Sequence, residues 1–184
     1  MFSREQLQQK LQARSPRRLE GRFDGEAAVL VTLVERNDQP HFLLTRRTMT
    51  VATHKGQISF PGGMREDQDA TFQQTALRET REELGIEPHT VELLGEFDEY
   101  QAVTNQRVKT FVGVVPPDVT IEPQQTEVAY VLEVPWEFFT TTKPRIEQKF
   151  RLGRMHDIYF YDFGDEVIWG LTARMIRDFL DVVG

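Results

Sequence analysis

The sequence predicts an α/β domain, a mixed β-sheet sandwiched between α-helices, and three stretches carry that expectation. "AAVLVTLVER" (27–36) is a near-continuous, β-branched apolar run, the pattern of a strand covered on both faces. "ALRETREELGI" (76–86) closes a helix of about four turns. "LTARMIRDFLDVV" (171–183) repeats apolar residues at helical spacing and reads as an amphipathic helix. Strands and helices follow one another without regular βαβα alternation, so the sheet is expected to be mixed, with helices on both faces.

The remaining elements follow in order. Residues 1–22 read as a helical extension whose Phe2, Leu7 and Leu11 dock it on the body. After the first strand "NDQP" supplies a turn, and "HFLLTRR" returns as the paired strand. In "THKGQISFPGGM" the Pro-Gly-Gly is expected to end regular structure, and "REDQD" is an acidic linker. Thr71 with Gln74 makes a capping box for the next helix; Gly85 suits its left-handed C-terminal position, with Ile86 packing back. "TVELLGEF", "VKTFVGVV", "EVAYVLEV" and "HDIYFYDF" read as strands, the third breaking at Pro135 before a helical turn, "WEFF".

A chain of 184 residues fits one domain, taken here as 1–184. It has no cysteine, which removes disulfides and thiolate chemistry and suits a reducing compartment. No apolar run approaches the roughly 18 to 20 residues of a membrane span, and the first residues lack the apolar segment of a signal peptide, so a cytoplasmic protein is expected. The net charge is -7, yet residues 1–22 carry six Lys/Arg against two Asp/Glu. The acidic main body should repel a nucleic-acid backbone, while the basic segment is read as a docking helix or, alternatively, an anion contact. A homodimer is compatible with the sequence, which carries no signal of oligomeric state.

The constellation that can carry chemistry is Glu79, Glu82 and Glu83, with Arg78 and Arg81 between. On an α-helix these carboxylates share one patch. The bland reading is a solvated face in which Arg78 and Glu82 form an i,i+4 pair; the sharper one is a platform for a hard cation, which takes oxygen ligands and substrate phosphates. The preceding "FPGG" favours the second, because glycines let the backbone approach another group closely.

The string "GGMREDQDATFQQTALRETREELGI" resembles the signature of the Nudix hydrolase family, GX5EX7REUXEEXGU, and would make residues 62–86 a Nudix box. Arg78, Glu79, Glu82, Glu83, Gly85 and Ile86 match; Thr80 stands where an aliphatic residue is usual, and one extra residue separates Gly63 from Arg78, with Asp69 at the acidic position. Just upstream, "LLTRRTMTVATHKGQISFPGG" is similar to the LLTXR(S/A)X3RX3GX3FPGG motif of the coenzyme A pyrophosphatase branch, with Thr48 for Ser/Ala and Ala52 for the second arginine. "IWGLTARMI" (168–176) also looks like this branch, so the likeness runs over roughly 27–180.

The resemblance implies a Nudix fold and Mg²⁺- or Mn²⁺-dependent hydrolysis of coenzyme A or a derivative to 4'-phosphopantetheine species and adenosine 3',5'-bisphosphate. It implies Glu82 and Glu83 as metal ligands, Glu79 as a third ligand or the base on the attacking water, and Arg78 as the residue that orients Glu79. The Gly62–Gly63 backbone would line the site. Glu127 is either a fourth acid or a solvated strand end. Arg47 and Lys55 are candidates for substrate phosphates, His54 is better read as a plain loop residue, and Arg46 should point to the opposite face from Arg47. Phe138, Phe139, Tyr159 and Phe160 either line a pantetheine channel or pack in the core. Two rival readings are the same chemistry on ADP-ribose or another nucleoside diphosphate derivative, and a binding module without turnover.

Overall fold

The computed structural model describes residues 3–50, 55–151 and 154–183; Phe2, Ala52 and His54, singled out above, lie outside them. The elements in chain order are α1 (Arg4–Gln12), β1 (Gly25–Arg36), β2 (Gln39–Arg47), β3 (Ile58–Ser59), β4 (Gly62–Met64), α2 (Phe72–Leu84), a 3-10 turn (Pro88–Thr90), β5 (Glu92–Gln101), β6 (Gln106–Val115), β7 (Val128–Pro135), α3 (Trp136–Thr141), β8 (Arg145–Arg151), β9 (Arg154–Phe163), β10 (Glu166–Trp169) and α4 (Gly170–Val183). Among the described residues β1 to β7 form a seven-stranded sheet and β8 to β10 a second sheet of three.

β1 is covered on both faces, as its composition requires. Ala28 and Leu30 pack with Ala76 of α2, and Val34 with Leu84 and Ile86, whereas Ala27, Val31 and Leu33 pack with Leu7 and Leu11 of α1 and Phe179 of α4. The two sets alternate at the strand period of two, so one strand supplies both layers of core. β1 runs parallel to β6 along its length and antiparallel to β2, which makes the sheet mixed. The β1–β2 turn is two residues long, with Asn37 and Asp38 at φ 51° and 59°, the left-handed pair that a tight hairpin needs.

β1 and β2 pair only beside that hairpin, from Leu33↔Phe42 to Arg36↔Gln39. Beyond it they part: β4 takes the free edge of β1 and β3 pairs with β2. "FPGG" crosses the wedge, with the Pro61 carbonyl accepting from the Leu30 N–H at 3.0 Å. The expectation that Pro-Gly-Gly ends regular structure is corrected here, since Gly62–Met64 is a strand. Its glycine serves close approach: a Cβ on Gly62 would sit 2.5 Å from the Ala28 carbonyl oxygen.

The N-terminal expectation holds for the helix and fails for its length. Ser3 caps α1, and Leu7 and Leu11 are buried, but the helix stops at Gln12, short of Pro16, which cannot continue it. The basic stretch that follows is pinned to β5: the Arg17 N–H donates to Asp98 and the Leu19 N–H to Glu99, each at 2.8 Å, while Arg14 pairs with Asp98 and Arg18 with Glu96. These charges are spent inside the molecule, against the anion-contact reading. Among the described residues no helix is long and apolar enough to cross a membrane.

Candidate functional site

α2 lies across the β1–β2 wedge with the ends its sequence prescribes. Thr71 and Gln74 form both bonds of the capping box, and Gly85 is left-handed at φ 71°. Thr75, Ala76, Thr80 and Leu84 make its buried stripe. Thr80 tolerates burial because its hydroxyl donates to the Ala76 carbonyl at 2.7 Å.

The three glutamates share a face but lie at different depths. The Glu82 side chain is 55% exposed, Glu79 15% and Glu83 3%. Glu79 lies directly under β4: a Cβ on Gly63 would stand 2.5 Å from its carboxylate. Any side chain there would push that carboxylate aside, which gives this residue of the "FPGG" turn a physical reason. Glu83 points into the sheet, 3.4 Å from the Thr45 hydroxyl and 3.4 Å from the Arg47 guanidinium. Arg47 also reaches Glu127, at 3.8 Å, so Glu127 faces the cluster from the start of β7. As the strand period predicts, Arg46 turns the other way and pairs with Glu166 of β10.

Arg78 organises the outer half. Its guanidinium donates to both Asp69 oxygens at 3.1 and 3.0 Å, to Glu79 and Glu82 at 2.9 Å each, and to the Met64 carbonyl at 2.9 Å. One side chain therefore ties the linker, β4 and two carboxylates together. The hydrogen bonds from Arg78 hold the Asp69 carboxyl down to about 2, and Asp69 in turn raises the Arg78 pKa.

The inner half has an excess of negative charge. Burial pushes the Glu83 carboxyl up to about 8; Arg47 opposes this, while the charges of Glu79 and Glu127 reinforce it. Glu79 is likewise raised, by burial first, against the pull of Arg78. Acids crowded so that they resist ionisation form a region that a cation would relieve. Among the described residues no three acids or histidines are gathered at metal-binding distance, since Arg78 and Arg47 stand between them. Among the described residues the buried Arg47 Nε has no hydrogen-bond partner.

Other expected residues lie elsewhere. Lys55 is exposed in the turn before β3. Phe139 and Tyr159 are core residues on the α4 side and Phe138 packs against that core, while Phe160 stacks on Trp169; these contacts are packing. Sequence reasoning missed Thr45 and the pairing of Asp69 with Arg78. Thr45 was accessible from strand parity, since it lies two residues from Arg47 on the same face.

The fold and this carboxylate helix define the class of protein. The NUDIX domain family model matches residues 25–156, and the chain belongs to the Nudix family. It is 36% identical over 170 residues to the uncharacterized Nudix hydrolase NudL of Escherichia coli (strain SMS-3-5 / SECEC), covering 86% of this chain and 83% of that one. NudL of Shigella boydii serotype 18 matches with the same identity and coverage. Among solved structures, a C. elegans Ap4A hydrolase binary complex superposes with TM-score 0.52 at 19% identity, over 61% of this chain and 81% of that one. The NUDIX domain of Shewanella oneidensis NrtR complexed with ADP ribose gives 0.51 at 17%, over 73% and 86%. At these identities the structural likeness is one of fold.

Proposed function

We propose that the protein is a Mg²⁺- or Mn²⁺-dependent Nudix diphosphatase that cleaves coenzyme A or a derivative into 4'-phosphopantetheine species and adenosine 3',5'-bisphosphate. The observation that carries this reading is the meeting, at the β1–β2 wedge, of the two motifs: Glu79 under Gly63, and Glu83 and Glu127 around Arg47. The donor set is all oxygen, which suits a hard divalent cation, and its raised acids fit one too. Glu79, Glu82 and Glu83 would hold the ion, which neutralises diphosphate oxygens and makes water a better nucleophile.

The chain's own groups do the rest. Arg78, locked by Asp69, aims Glu79 and Glu82. Glu127, at the rim, supplies a fourth acid, and Glu79 is the alternative base for the attacking water. Arg47, whose Nε has no partner among the described residues, is placed to meet a substrate phosphate, and Lys55 is a second candidate. In the reaction a water oxygen bonds to one phosphorus, the bridging P–O bond breaks, and the departing phosphate carries away the electron pair.

A second reading is the same hydrolysis on ADP-ribose. It is favoured by Ala52, where the coenzyme A motif has arginine, and by the fold shared with the ADP-ribose-bound NrtR domain. A panel of coenzyme A, dephospho-coenzyme A and ADP-ribose at equal metal, with products read by mass spectrometry, separates the two. Preferred release of adenosine 3',5'-bisphosphate supports the first reading; preferred release of AMP from ADP-ribose replaces it with the second.

A further inference from the structure

The three-stranded sheet ends on β8, which has β9 on one side and, among the described residues, no strand on the other. It is an open edge with unusual apolar content: Ile146 is 53% exposed and Phe150 69%, and Met155, paired with Phe150 on β9, is 53% exposed. All three lie on the face that continues from buried Tyr159, since Ile146 pairs with Tyr159. The opposite face of β8 alternates charge along "RIEQK": Arg145, Glu147, Lys149. Arg145 pairs with Glu147, whereas Lys149 has no ion pair among the described residues. A solitary edge of this kind is a template for another strand.

We infer that β8 is a self-association edge, pairing antiparallel with β8 of a second copy of this chain about a two-fold axis at Gln148. The argument is register. An axis at Gln148 sets Glu147 opposite Lys149 of the second copy, and by symmetry Lys149 opposite its Glu147. On the other face it sets Ile146 opposite Phe150. Lateral rows then run Tyr159, Ile146, then Phe150 and Met155 of the second copy, twice over, which extends the buried side of the sheet across the junction. Gln148, at the axis, meets its own copy on that same face and is held by its bond to Asp157 at 3.0 Å, so the apolar pairs flank a central polar row while the charged face pairs in the same register. The outermost pair sets Arg145 opposite position 151, also an arginine in the sequence, and Glu147 already holds Arg145. The other edge, β10, is differently placed: its Glu166 is held by Arg46 and Tyr130 of the main sheet.

Sedimentation equilibrium of the full chain over a range of concentrations tests this, and it needs no catalytic activity. The wild type should show a monomer–dimer equilibrium. Glu147→Lys, which puts like charges opposite each other twice, should raise the dimer dissociation constant roughly ten-fold. The double variant E147K/K149E restores complementarity in the same register and should return association toward the wild-type value. Phe150→Ser should weaken it as well, while circular dichroism shows each variant folded. A wild type monomeric at all concentrations overturns the inference. So does a dimer indifferent to Glu147→Lys, or one that the charge reversal fails to rescue.

Discussion

Two clusters of arginine and carboxylate lie on different faces of this molecule, and their difference separates a site from a brace. On β5, Asp98 and Glu99 are buried, yet they are surrounded by Arg14, Arg17, Arg18 and Lys109 and accept backbone N–H bonds from the N-terminal stretch. Cations there match or outnumber the buried acids, and the product is adhesion. Around α2, Glu79, Glu82, Glu83, Glu127 and Asp69 share two arginines, Arg78 and Arg47. The same residue types, left short of positive charge, become a place where a cation is wanted. Charge balance, more than charge density, distinguishes the two.

The largest effect should come from inverting the burial of Glu83. Glu83→Gln removes an acid that resists ionisation, so the melting temperature should hold or rise, while metal-dependent turnover should fall on the order of 10³-fold. Asp98→Asn should do the reverse: stability falls by about 1–3 kcal/mol because the charge that Arg14 and Arg17 pair with is lost and an amide NH2 replaces the oxygen facing the Arg17 guanidinium, and turnover per folded molecule stays the same. Melting curves and initial rates on both variants would break the comparison if the two responded alike.

Gly63→Ala comes next. Its Cβ would occupy the place of the Glu79 carboxylate, and a displacement of that order costs about 10²-fold in rate. A variant with unchanged kcat would show that the close approach has no role in positioning Glu79.

The smallest effect concerns acid. Asp69 titrates at about 2 in the fold, below its ordinary 3.8, because Arg78 holds its charged form. The unfolded chain therefore takes up this proton first. The contribution to stability is complete above 3.8 and disappears as pH falls through 2. Asp69→Asn should flatten the acid-unfolding curve in that window; an unaltered slope would place the stabilising bonds elsewhere.

What the sequence revealed follows how local each signal is. The capping box at Thr71, the left-handed Gly85, the Asn37–Asp38 hairpin and the double-faced β1 depend on neighbours in the chain, and all were legible. β4 was not, because its two glycines, one against β1 and one over Glu79, are also the mark of a loop. β8 and β10 escaped because one carries charges at alternate positions, as exposed edges do, and the other is only four residues long. At the site, the face shared by Glu79, Glu82 and Glu83 could be read from helical periodicity. Their unequal burial, the Arg78–Asp69 fork and the Thr45 contact depend on which strand lies beneath α2, and that is settled by long-range pairing.

The most direct test of the central claim is the rate of coenzyme A cleavage by Glu82→Gln beside the wild type at saturating Mg²⁺, followed as adenosine 3',5'-bisphosphate by mass spectrometry. The account predicts a folded variant that has lost metal-dependent turnover. A near-normal rate in that variant would contradict it.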